Sequence, residues 1–209
     1  MYNIKNPDRL AFIRKISKER GIDEIFSIED AKKNDIVKIG NNVKIKDGTV
    51  IGTDGWGYER NEKSELEKFP HYGRVIIGNN VDISANCTID RGNMHDTVIG
   101  DGTKIDSGVH IAHNLKIGKH SRIGVHSILL GHCEIGDYVD IWSNVVIKEG
   151  VKIGNNAVIG SCSYVDIDVP SNSHFVSEHK KIIGPFNSSG LAILFKGILE
   201  DSILTNLGS

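Results

Sequence analysis

The chain has 209 residues, with 25 Lys and Arg against 27 Asp and Glu and a formal net charge of -2. The two signs are interspersed, which excludes the phosphate-neutralising stripe that binding to nucleic acid or to an anionic membrane requires. Cys87, Cys133 and Cys162 are widely spaced with no CxxC, which argues against a disulfide framework and a thiolate zinc site and implies a reducing cytoplasm; no apolar run approaches a membrane span.

In chain order, residues 1–36 read as a short helical segment. Asn6 can cap, Pro7 suits the first helical position, Leu10, Ile13 and Ile16 share a face, and Gly21 can end the helix. A second short helix is expected after Ser27, whose SIED has the form of a capping box. From Ile39 onward the pattern changes to a period of six. Ile39, Ile45 and Ile51 form a first run, and Ile77, Ile83 and Ile89 a second. The third runs unbroken through Ile99, Ile105, Ile111, Ile117, Ile123, Leu129, Ile135, Ile141, Ile147, Ile153, Ile159 and Val165. Four residues after each aliphatic stands a small or branched residue, among them Thr103, Val109, Ser121, Ser127, Cys133, Val139 and Ala157, and this column should also point inward.

An even period keeps one face of an alternating strand inward from repeat to repeat, whereas a 3.6-residue helix would scatter the isoleucines around its axis. Three hexads closing one triangular coil, with coils hydrogen-bonded to one another, bury both columns and give about six coils over residues 37–169. Glycine often follows the aliphatic directly, as at Gly40, Gly78, Gly100, Gly118 and Gly136, where a permissive backbone would suit a tight corner.

Two segments break the period. Residues 53–74 are polar and too long for a corner, so they should project as a loop, with Trp56 and Tyr58 anchoring it. Residues 91–97, RGNMHDT, shift the register and should bulge at one corner, with Arg91 stitching the bulge. Residues 170–209 form a C-terminal extension. Leu191, Leu194, Phe195, Ile198 and Leu199 make an amphipathic stripe, read as a helix covering the last coil or packing on a neighbour. The fold class is thus mainly β, a parallel β-helix with short helical segments at both ends.

Histidine carries the chemistry. His110, His113, His126 and His132 cluster within two coils; His126 and His120 read as plain outward residues. His113 lies two residues after Ile111 and Gly131 two after Leu129, which stacks Gly131 one coil above His113. A neutral imidazole can take a proton from an attacking amine or hydroxyl near neutral pH. A glycine beside it leaves room for a thioester and can aim its N–H at the developing oxyanion.

The segments IGTDGWGYE, GRVIIGNNVDISANCTIDRGNMHDTVIGDGTKID and VHIAHNLKIG resemble the UDP-3-O-acylglucosamine N-acyltransferases of lipid A synthesis, over roughly residues 49–125. The resemblance implies a left-handed coil and a homotrimer with the acyl tunnel between neighbouring coils. It implies acyl transfer from acyl carrier protein to the amine of a nucleotide-linked amino sugar, with His113 as general base, Gly131 as oxyanion donor and Asp106 and Asn114 at the substrate. No bound cofactor or metal is implied. The HIAH pair and a later histidine are also similar to the related UDP-N-acetylglucosamine O-acyltransferases, which places His110 and His132 at donor or acceptor. The large N-terminal uridine-binding domain of the first family is largely missing, and its second functional histidine falls at Gly150. SEHKK at residues 177–181 stands where many acetyltransferases on this scaffold carry their coenzyme A turn. The runner-up is an acetyl-coenzyme A-dependent sugar O- or N-acetyltransferase, and behind it a zinc hydratase like the carbonic anhydrases that share the scaffold.

Overall fold

The computed structural model describes residues 35–177, so the helical segments expected before residue 35 and after residue 177 lie outside the described residues. Within them the six-residue period winds a parallel β-solenoid of three sheets. The first sheet stacks Val37–Ile39, Val75–Ile77, Thr97–Ile99, Lys116–Ile117, Glu134–Ile135 and Lys152–Ile153. The second stacks Lys44–Ile45, Asp82–Ile83, Lys104–Ile105, Arg122–Ile123, Asp140–Ile141, Val158–Ile159 and His174–Phe175. The third runs from Val50–Asp54 through Thr88–Arg91, His110–Ile111, Ile128–Leu129 and Val146–Ile147 to Tyr164–Val165. The coil therefore continues through Phe175, past the boundary at 169 read from the hexads.

The register explains why the isoleucines recur. Ile105 pairs with Ile123 and Ile123 with Ile141 on the second sheet, and Ile111 pairs with Leu129 and Leu129 with Ile147 on the third. Each aliphatic thus sits on its equivalent in the next coil. The second inward column is equally buried: Val109, Cys133, Val139, Val145 and Ala157 all join the core, and Cys87 with them. Thr103, Ser121 and Ser127 of that column each donate to a backbone carbonyl, whereas the buried Thr97 Oγ1 has no partner among the described residues. Thr103 Oγ1 donates to the Gly118 carbonyl at 2.9 Å, and Ser127 Oγ to the Trp142 carbonyl at 3.0 Å.

The corners correct the reading of the glycines. At most corners the residue three after the aliphatic has left-handed backbone; it is usually asparagine or histidine, as at Asn42, Asn114, His120 and His132, with Tyr138, Cys162 and glycines such as Gly102 and Gly150 at others. Asparagine and histidine tolerate this region better than most side chains. The glycine directly after the aliphatic has another cause. A Cβ on Gly100 would stand 2.6 Å from the Gly118 carbonyl carbon, and one on Gly118 would stand 2.5 Å from that of Gly136. Close approach of successive coils, rather than a turn, excludes a side chain there.

The interruption at 53–74 only half projects. The third sheet continues into it, Thr53 opposite Asp90 and Asp54 opposite Arg91, after an irregularity between Ile51 and Thr53. An antiparallel hairpin of Tyr58–Arg60 and Leu66–Lys68 then extends outward, Trp56 at its base being 86% exposed and in edge contact with Tyr58. The returning strand folds back onto the coil: Tyr72 N–H donates to the Asn93 carbonyl at 2.7 Å and Gly73 N–H to the Gly92 carbonyl at 2.9 Å. Phe69 and His71, not Trp56, are what the loop buries.

Candidate functional site

His113 and Gly131 meet at the corner after the third sheet. A Cβ on Gly131 would stand 2.8 Å from His113 Cε1 and 3.0 Å from Nε2, so the imidazole lies directly against the glycine one coil above, as the hexad count requires. At corners after the first sheet the equivalent N–H groups are capped by the next coil: Asn41 N–H donates to Asn79 Oδ1 at 2.9 Å, and Lys119 N–H to Asp137 Oδ1 at 2.7 Å. Among the described residues the Gly131 N–H makes no such bond, the equivalent position above it being Glu149. The same corner thus presents an imidazole and an uncapped backbone donor.

Burial, then the nearby His132, hold the His113 pKa below the ordinary histidine value, against a smaller opposing pull from Glu149. The ring is consequently neutral at pH 7, the state a general base needs. His132 is exposed, and its ring lies 5.2 Å from that of His113, nearly perpendicular to it. Asn114 occupies the left-handed corner position and is buried. Its Oδ1 accepts from the Asn93 N–H at 2.8 Å, its Nδ2 donates to Asn93 Oδ1 at 2.6 Å, and the same amide lies 3.2 Å from His132 Nε2. Asn114 therefore ties the 91–97 bulge to the corner that carries His113.

His110 faces outward from the third sheet, with its Nδ1 2.7 Å from Thr88 Oγ1 and its Nε2 3.8 Å from Asp90. Burial raises the Asp90 pKa, against the counter-pull of His110 and the hydrogen bond from Thr53 Oγ1 at 3.0 Å. Asp106 is elsewhere. It follows the Lys104–Ile105 strand of the second sheet, its carboxylate accepts from the Ser107 N–H at 2.7 Å, and it lines a groove of about 640 Å³ with Arg122, Asp140 and Trp142. One chain does not bring Asp106 to His113. Gly150, standing where the second histidine of the resembling family would fall, is an open corner with positive φ and no heavy atom near its missing Cβ.

The sequence reading missed His71 and Asp54. His71 is 2% exposed, its ring 5.5 Å from that of His113, and its pKa is pushed down to about 4 by burial, against the charge of Asp54. A Cβ on Gly55 would stand 2.7 Å from His113 Cδ2 and 2.9 Å from His71 Nε2, so this glycine permits the loop to close on both rings. The signal was the FPH triplet, an aromatic and a proline inside an otherwise polar insertion. Arg91 is buried and donates from Nε to Asp54 Oδ1 at 2.7 Å, while Lys68 pairs with Asp54 at 2.9 Å. Burial works to raise the Asp54 pKa, but the hydrogen bonds and charges of Lys68 and Arg91 outweigh it and leave the carboxyl low. Arg91 thus fastens the loop rather than the bulge. Replacing Asp54 by Ala strands a buried guanidinium, and urea denaturation should register a loss of about 3–5 kcal/mol, largely recovered when Arg91 is also replaced by Met.

The family model described as bacterial transferase hexapeptide (six repeats) matches residues 96–131, 116–149 and 132–166. The UDP-3-O-acylglucosamine N-acyltransferase of Methylobacterium nodulans is 43% identical over 137 residues, 66% of this chain and 39% of that protein. The enzyme of the same name from Coxiella burnetii is 56% identical over 69 residues, 33% of this chain and 20% of that one. The chain thus spans about two fifths or less of these curated relatives. Among solved structures, the UDP-N-acetylglucosamine acyltransferase of Bacteroides fragilis superposes with a TM-score of 0.57 at 27% identity, covering 75% of this chain and 58% of that one. That of Francisella novicida gives 0.59 at 26% identity, over 75% and 62%. The chain is a hexapeptide-repeat β-solenoid whose coil resembles the UDP-3-O-acylglucosamine N-acyltransferases.

Proposed function

We propose that this chain is an acyltransferase that moves an acyl group from a thioester, carried by acyl carrier protein or coenzyme A, to the amine of a nucleotide-linked amino sugar. The observation that carries the reading is the His113 imidazole lying against Gly131, whose N–H is uncapped, and burial favours the neutral form of that ring. The amine nitrogen attacks the thioester carbonyl, and a C–N bond forms as His113 takes the amine proton. The Gly131 N–H supports the oxyanion, the C–S bond then breaks, and the leaving thiolate recovers the proton from the imidazolium. No covalent enzyme intermediate and no metal is needed for this balance. The names of the relatives, which specify acyl transfer to acylglucosamine or N-acetylglucosamine joined to UDP, support the acceptor class.

A homotrimer with a left-handed coil is part of the same reading. His113 and Asp106 stand at corners separated by the third sheet, so both reach one substrate only when a second copy presents its Asp106 groove to the first copy's histidine. His110 and His132 lie beside the acceptor and donor in this arrangement, while Asn114, its amide engaged by Asn93, holds the corner that carries His113. Among the described residues the three cysteines are free, which suits the cytoplasm. The alternative, an acetyl-coenzyme A-dependent sugar O- or N-acetyltransferase, uses the same base and oxyanion donor and differs in the acyl group, its carrier and the acceptor. Incubating the full chain with a panel of UDP-amino sugars and acyl thioesters, read by mass spectrometry, should yield an acylated nucleotide sugar. If every combination returns unmodified acceptor, the function is something else.

A further inference from the structure

Two nitrogens at this corner are buried and lack a hydrogen-bond partner among the described residues: His71 Nε2 and His113 Nδ1. Buried polar atoms are nearly always paired, and those that are not tend to mark a functional role. The state of His71 follows from its other side. Its Nδ1 lies 3.0 Å from the Phe69 carbonyl, which can only accept, so Nδ1 holds the proton and Nε2 offers a lone pair. The low pKa keeps that lone pair free across the neutral range.

His113 presents a carbon to it. The missing Cβ of Gly55 lies 2.7 Å from His113 Cδ2 and 2.9 Å from His71 Nε2, which puts the lone pair and the Cδ2 edge around the same point. The ring centroids are 5.5 Å apart with the planes at 72°, a spacing compatible with an N–H···N bond between the two rings. A half-turn of the His113 ring about Cβ–Cγ exchanges Cδ2 with Nδ1 and Cε1 with Nε2 while keeping the ring's outline. The turn brings a donor to the acceptor and leaves Nε2 against Gly131, where Cε1 and Nε2 are both close.

We propose that His71 is a positioning residue for His113: its Nε2 accepts the Nδ1–H of the turned ring and thereby leaves the His113 Nε2 lone pair at Gly131. This rests on His113 being the base. His71 then occupies the place that a carboxylate takes in an acid–histidine pair, orienting the ring without placing a second charge in the pocket. The turned ring is the form the free protein is expected to hold.

The test is the tautomer of each ring in the full chain labelled with nitrogen-15 histidine, read from long-range proton–nitrogen spectra at neutral pH without substrate. Signals are assigned by their loss in His113→Gln and His71→Gln. Wild-type protein should hold its His113 proton on Nδ1 and its Nε2 bare. His71→Leu should give a mixture of tautomers at His113, and His71→Gln, whose amide oxygen can accept, should restore the single form. In the acyl-transfer assay His71→Leu should lower kcat on the order of 10²-fold with KM little changed, and His71→Gln should recover most of it. A wild-type His113 protonated on Nε2, or a His71→Leu protein with an unaltered His113 tautomer, overturns the proposal. If His71→Leu does not fold, the wild-type spectrum decides alone. The predicted tautomer in a protein inactive on every acceptor would uphold the pair and reject the transfer reaction.

Discussion

Replacing His113 by Ala should abolish acyl transfer, lowering kcat by on the order of 10²–10⁴-fold, while the coil remains folded. The ring is only half-buried and sits outside the isoleucine columns, so its loss leaves the core intact. Circular dichroism and the melting temperature should be close to wild type, which separates a chemical loss from a structural one. The wild-type pH profile carries the same signature. Since burial and His132 depress the His113 pKa, the neutral base accumulates above a value lower than the ordinary one for histidine. Activity should therefore rise with pH through an apparent pKa below about 6.5 and be level at neutral pH. An unchanged rate in the folded alanine variant, or an apparent pKa above the ordinary value, would remove His113 from its role.

Replacing Gly131 by Ala should be nearly as damaging by a different route. Gly131 does not have the positive φ that marks the neighbouring corners, so alanine meets no backbone penalty. The new methyl would instead press on Cε1 and Nε2 of His113. The ring cannot simply retreat, because Gly55 closes the Cδ2 side and His71 stands beyond it. The substitution keeps the backbone N–H but moves the base, and a displacement on the order of 1 Å is enough to lose about 10²-fold in rate. Overpacking of this kind also costs about 1–3 kcal/mol. Transfer assays with thermal melts should thus find a variant that is slightly less stable and far slower. A fully active Gly131→Ala would mean that the contact has no part in the chemistry.

The coil was legible because each hexad repeats one geometric instruction. Ile105, Ile123 and Ile141 are buried for the same reason and paired in the same register, so the period alone stacks them. That stacking also carried Gly131 over His113, since both stand two residues past an aliphatic on the same sheet. What the period does not encode is the insertion. His71 lies in a polar segment, and its burial depends on Asp54 meeting Arg91, Asn93 meeting Tyr72 and Gly55 leaving room, none of which repeats. The glycines misled for a related reason: they mark where one coil crowds the next, while asparagine and histidine take the left-handed corners. Asp106 was legible as a residue, but within one chain the third sheet separates its corner from that of His113.

The most direct test is a crystal structure of the full chain soaked with a UDP-amino sugar and a non-hydrolysable acyl thioester. The acceptor amine should lie within about 3 Å of His113 Nε2, with the thioester carbonyl oxygen at hydrogen-bond distance from the Gly131 N–H. An amine bound in the Asp106 groove and out of reach of any copy's His113 would contradict it.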